Sequence, residues 1–233
     1  AFRMAKVKPN SRYTYGYKKS TVLVSLLNAI ILLVAVGIIL AESIEKLRNP
    51  QPIAGGVIAW VAGVGILINA FTAFLFLKDK ERDLNIKGAY LHLMADALVS
   101  VGVVISGVII SYTHWYIIDP IIGIAIAIVI LVSTWNLLRD SLRLSLDGVP
   151  AGISAEKIRK LLLQVDGVRE IHHLHIWALS TTQNALTAHV VVASLEDGEA
   201  VKNRIKEILS EEHIPHATLE LETAAECCTD RTD

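Results

Sequence analysis

Four stretches of this chain, Thr21 to Ala41, about Ile53 to Leu77, about Gly88 to Tyr112 and Pro120 to Leu138, contain neither Lys nor Arg. Each is close to the roughly 20 residues that a helix rising about 1.5 Å per residue needs to cross a bilayer core. They predict a multi-pass membrane protein and explain a composition that is 53% hydrophobic and 19% charged over 233 residues, with a mean hydropathy of +0.49. A formal charge of -1 gives nucleic acid no basic field to bind. The same composition excludes a disordered chain and a disulfide-built secreted module. The only two cysteines, Cys227 and Cys228, are neighbours that close no useful loop, so they point to a metal or reactive site rather than a cross-link.

The basic residues assign sides. Arg3, Lys6, Lys8, Arg12, Lys18 and Lys19 precede the first stretch, Lys78, Lys80, Arg82 and Lys87 precede the third, and Arg139 and Arg143 follow the fourth. The other two connections hold only Lys46 and Arg48, then none. The positive-inside rule therefore predicts a cytoplasmic N-terminal loop (residues 1–20), a membrane domain (21–140) and a cytoplasmic C-terminal domain (141–233). The polar, basic opening from Ala1 to Lys19 is unlike a cleavable signal peptide. Tyr112, Trp115 and Tyr116 beside Asp119-Pro120 fit an aromatic belt at the outer interface, and His114 among them reads as solvated. Small residues in the second and third stretches, such as Gly63, Gly65, Gly102, Ser106 and Gly107, suit close helix packing in lipid.

Beyond Leu138 the pattern is that of a soluble domain. Ser154 is a candidate N-cap for a helix to about Val165, although Lys157 leaves the capping box incomplete. Strand-like runs follow over Val168 to Leu179 and Ala185 to Ser194, joined by the polar run Ser180 to Asn184. A second helix over Glu199 to Glu212 and a third strand over Ala217 to Glu222 complete an αββαβ order. That order predicts an α+β sandwich whose open sheet face suits a dimer contact.

The third apolar stretch holds the one carboxylate deep in any of the four, Asp96, with His92 four residues before it. An ionisable side chain at a helix centre costs at least about 2.5 kcal/mol on insertion scales, so it needs a function. The spacing puts imidazole and carboxylate on one helical face, where both reach one ion. Nitrogen and oxygen donors together suit a borderline cation such as Zn²⁺, with two further ligands to complete a tetrahedron. Asn28 and Asn69 read either as interhelical packing or as the lining of a polar path. Glu42 and Glu45 read as an interfacial face, with Lys46 and Arg48 as their nearby cations.

These residues together resemble the cation diffusion facilitator family, zinc-proton exchangers of cell and organelle membranes. The resemblance rests on the loop Arg12 to Tyr17, the His92/Asp96 pair, the run Ser145-Leu146-Asp147-Gly148-Val149-Pro150, His172-His173-Leu174-His175-Ile176-Trp177, and Ala188-His189. It implies a bundle of six spans, four of them here, a cytoplasmic ferredoxin-like domain, and a homodimer. Ala1 to Ala5 resembles the end of the family's second span, so the resemblance implies that the first two spans are absent from this sequence. In the family that second helix supplies the other two ligands of the membrane site. Hairpin geometry alone, with the turn near Thr182-Gln183, places His189 opposite His175 or Ile176 and so pairs His175 with His189. The resemblance instead favours His172, His189 and Glu222 as cytoplasmic metal ligands, with Cys227 and Cys228 joining in some members.

The function expected is efflux of Zn²⁺ from the cytoplasm against protons by alternating access, with Zn²⁺ as cargo and as regulatory ligand and no organic cofactor. Cd²⁺, Co²⁺, Fe²⁺ and Mn²⁺ are alternative cargoes, Mn²⁺ being disfavoured by a histidine ligand. A membrane metal sensor or scaffold without transport is the alternative function. An intramembrane metalloenzyme lacks the general base that His-Glu-x-x-His would supply. The connection from Lys78 to Lys87 carries no histidine tract, which leans toward a bacterial or archaeal plasma membrane.

Overall fold

The computed structural model describes residues 7–50 and 55–223, without the side chains of residues 55–61. Cys227, Cys228 and the expected start of the second span at Ile53 lie outside the described residues. The chain divides into two compact units, Leu23–Ser141 and a second unit that groups residues up to Val22 with those from Leu142 onward.

The first unit is helical: α1 (Ser20–Arg48), α2 (Gly55–Phe76), α3 (Leu84–Thr113) and α4 (Ile118–Ser145). Among the described residues α1, α3 and α4 are long and apolar enough to cross a membrane, and α2 contributes the shorter apolar run Ala62–Phe76. The helices outrun the Lys- and Arg-free stretches because polar residues cap and extend them. Asp83 sits in extended conformation before α3 and its side chain accepts from the Asn85 N–H, which satisfies one of the helix's orphan donors. At the other end His114 takes a left-handed conformation, φ 54°, and its N–H donates to the Ile110 carbonyl.

Small residues decide which helix faces meet. Gly102 of α3 lies where an added Cβ would press on Ile122 and Ile126 of α4, and Gly123 of α4 lies against Ser43 of α1. Gly88 of α3 is filled by the Asn28 side chain of α1, so Asn28 is part of the packing. Between these points Val36, Ala95, Ala127 and Ile130 are buried together. Polar ties run alongside: Ser25 Oγ to Ser141 Oγ at 2.9 Å, and Lys87 Nζ to Asp140 at 3.1 Å. A third cluster unites three helices, with Lys46 Nζ 3.0 Å from one Asp119 oxygen and Ser106 Oγ donating to the other at 2.9 Å. Lys46 therefore partners Asp119, not Glu42 or Glu45.

In the second unit α5 (Ala155–Leu163), β1 (Val168–Ser180), β2 (Gln183–Val192), α6 (Gly198–Glu211) and β3 (His216–Glu222) follow in the order αββαβ. Ser154 caps α5 by accepting the Lys157 N–H at 3.2 Å. The sheet runs β1-β2-β3, with β1 antiparallel and β3 parallel to β2. Ile158, Leu162, Val201, Ile205 and Leu209 of the helices pack on Ile176, Leu186, Ala188 and Val190 of the sheet. The loop before α1 belongs to the same unit. Lys19 bonds Asp147 and the Ala178 carbonyl, the Thr181 N–H donates to Thr21 Oγ1 at 3.0 Å, and Tyr15 Oη meets His216 Nε2 at 3.3 Å.

The hairpin register departs from the one expected. The turn is Thr181-Thr182, with Ser180 opposite Gln183, so it is centred earlier than Thr182-Gln183. A bulge then adds one residue to β1: His175 faces Thr187, but His172 faces His189. Together with a further shift between Ala178 and Ser180, the turn and this bulge move His189 from the expected His175 or Ile176 to His172. The pairing of His175 with His189 is thus corrected, because a period-two count cannot see a bulge.

Candidate metal sites

In the helical unit, His92 and Asp96 share one face of α3, with His92 Nε2 3.6 Å from Asp96 Oδ2. Their side chains are 54% and 48% exposed, whereas Ala95 and Ala97 between and beside them are buried. The pair thus lies on the part of α3 turned away from its buried contacts. Gly65 of α2 approaches Ser100, one turn beyond Asp96 on that same side. An imidazole and a carboxylate side by side on an accessible face can give an ion two donors.

The second cluster draws one residue from each strand. His172 of β1 faces His189 of β2 across the ladder, and Glu222 ends β3. Donor atoms of these three lie within 4.8 Å of one another. Glu222 accepts from His189 Nδ1 at 2.5 Å and stands 3.4 Å from His172 Nε2. His172 is 6% exposed and Glu222 5%, yet neither ring nitrogen of His172 makes a hydrogen bond among the described residues. A buried polar group without such a bond costs about 1–3 kcal/mol, and a buried carboxylate needs compensating positive charge. A divalent cation would supply both, and two imidazoles with one carboxylate fit a borderline ion such as Zn²⁺.

Two neighbours escaped the sequence reading. Glu220 lies 3.5 Å from His189 Nε2, so each nitrogen of that ring faces a carboxylate. His173 stands beside the triad, its ring centre 5.0 Å from that of His189. The signal for Glu220 was its place two residues before Glu222 on one strand face. His173 carried none, since its direction depends on the bulge. His175 is exposed opposite Thr187, outside the triad.

Comparison with known proteins places both units. Residues 1–144 match the cation efflux transmembrane domain, and residues 150–224 match the cytoplasmic domain of cation efflux proteins. The zinc transporter ZitB of Pectobacterium atrosepticum is 38% identical over 95% of this chain and 70% of its own length. The cadmium, cobalt and zinc/H(+)-K(+) antiporter of Bacillus subtilis is 32% identical over 97% of this chain and 74% of its own. ZitB of Escherichia coli is 35% identical over 95% and 72%. With both modules matched in order and relatives of this identity aligned along nearly its whole length, the chain belongs to the cation efflux family of membrane transporters.

Proposed function

We propose that this chain exports Zn²⁺ from the cytoplasm in exchange for protons, as a secondary transporter rather than an enzyme. Divalent cation efflux follows from family membership. Zinc as cargo is supported by the nitrogen and oxygen donors of His92 and Asp96 and by the ZitB relatives, and proton exchange by the antiporter relative. The observation that carries the reading is the His92/Asp96 pair, 3.6 Å apart on an apolar helix. Zinc needs a neutral imidazole and an ionised carboxylate, so a proton arriving at either group competes with the ion. One site then binds cargo and counter-ion in turn. Alternating access exposes it first to one side and then to the other.

The chain is read as four spans within a six-span family architecture, in the plasma (inner) membrane. Residues 1–20 and 141–233 face the cytoplasm, residues 21–140 form the membrane domain, and the αββαβ unit is a ferredoxin-like domain of a homodimer. His172, His189 and Glu222 form a regulatory zinc site there, and Cys227 and Cys228, further along the sequence, are candidate metal ligands of the same domain. Proteoliposomes carrying the intact transporter dimer test the membrane assignment: Asp96→Ala should reduce pH-driven zinc flux to the protein-free background. Flux equal to wild type would remove Asp96 from the transport site.

A further inference from the structure

In a regular strand, neighbours point to opposite sheet faces, so His173 should follow His172 by turning into the core. It does not. The extra residue between His172 and His175 is accommodated by His173 in the left-handed region, φ 49°. Its ring stays beside those of His172 and His189, while Leu174 takes the place against the core. A non-glycine residue is held there only where the surroundings impose it, and such sites are often functional.

The ring spacings agree with a shared ion. With Zn–N at about 2.0–2.1 Å and each ring centre about 1.1 Å behind its nitrogen, two imidazoles on a tetrahedral ion have centres about 5.1 Å apart. The centres of His172 and His173 are 5.3 Å apart, those of His172 and His189 are 5.2 Å, and those of His173 and His189 are 5.0 Å. His175, 6.4 Å from His173, falls outside the triangle. We infer that His173 is a fourth metal ligand, completing with His172, His189 and Glu222 a tetrahedral three-nitrogen, one-oxygen site built by a single subunit. The inference rests on the three-residue site proposed above. The mutually close donors are those of His172, His189 and Glu222, and His173 joins them by turning its ring about its side-chain torsions. Four protein donors leave no position for water, as in structural rather than catalytic zinc sites. The ligand class is a borderline divalent cation that accepts tetrahedral geometry, Zn²⁺ or Co²⁺, in preference to Mg²⁺ or Mn²⁺.

The test uses Co²⁺ binding to the full chain in detergent, in an Asp96→Ala background that silences the membrane pair. Absorption bands report coordination number, and hydrogen exchange of β1 and β2 reports the fold. His173→Gly is the informative variant, because glycine adopts the φ of 49° without strain while removing the imidazole. Metal-free exchange should be unchanged or slower, Co²⁺ affinity should fall at least about tenfold, and the intense four-coordinate band should weaken. If His173→Gly binds Co²⁺ with wild-type affinity and spectrum while His172→Ala does not bind, the fourth ligand is refuted and the three-residue site stands. If His172→Ala also binds as wild type, both readings fall.

Discussion

Replacing His172 by leucine separates a cation site from ordinary packing, because its effect should change sign with metal. Without metal, both ring nitrogens of His172 are buried and lack a hydrogen bond among the described residues, with Glu222 Oε2 3.4 Å away as partial compensation. An orphaned buried polar group costs about 1–3 kcal/mol, so after that compensation an apolar side chain of similar size should stabilise the metal-free domain by about 1 kcal/mol. Zinc at a hundred times its dissociation constant adds about 2.7 kcal/mol to the wild type and little to a variant without the ligand. The balance with zinc then favours the wild type by about 1.7 kcal/mol, nearly twentyfold in opening equilibrium. Hydrogen exchange of β1 and β2 amides, in chelator and then in zinc, reads both values on the C-terminal domain alone. If the variant exchanges faster than wild type in chelator and gains as much protection from zinc, His172 is a packing residue and the cation-site argument fails.

Two further outcomes test the helical unit. Lys46→Met should destabilise it by about 1–3 kcal/mol, between an exposed ion pair and a hydrogen bond to a charged group, since the Asp119 side chain is only 14% exposed and, among the described residues, would keep the hydrogen bond from Ser106. Detergent melting should show the loss, and adding Asp119→Asn should recover part of it. Gly102→Val should cost about 1–3 kcal/mol through overpacking against Ile122 and Ile126, whereas Gly107→Val, with nothing within 4 Å of the added Cβ, should melt near wild type.

The apolar stretches and the His92/Asp96 exception were legible because both are departures from composition, and lipid enforces them residue by residue. Helix ends were less legible, since Asp83 and His114 act through local hydrogen bonds beyond the apolar runs. The αββαβ order was plain from periodicity, but the register was not. The run Ser180 to Asn184 is uniformly polar and hides a two-residue turn, and the bulge at His173 leaves the hydrophobic pattern on either side intact. The resemblance grouped His172 and Glu222 with His189, three residues that the structure brings together, whereas strand counting paired His189 with His175. Lys46 bonding Asp119 across helices was invisible, as sequence proximity had offered it Glu42 and Glu45.

His172, His189 and Glu222, the proposed ligands, come from three different strands, and the parallel β3 reaches the sheet only after α6 has been laid down. An ion held there would tie the first strand of the domain to its last, closing a long loop much as a cross-link does. Unlike a disulfide, that tie would come and go with the cation supply. When the metal is scarce β3 would open more often and be cut sooner by proteases, so turnover of the pump would follow the abundance of its own cargo.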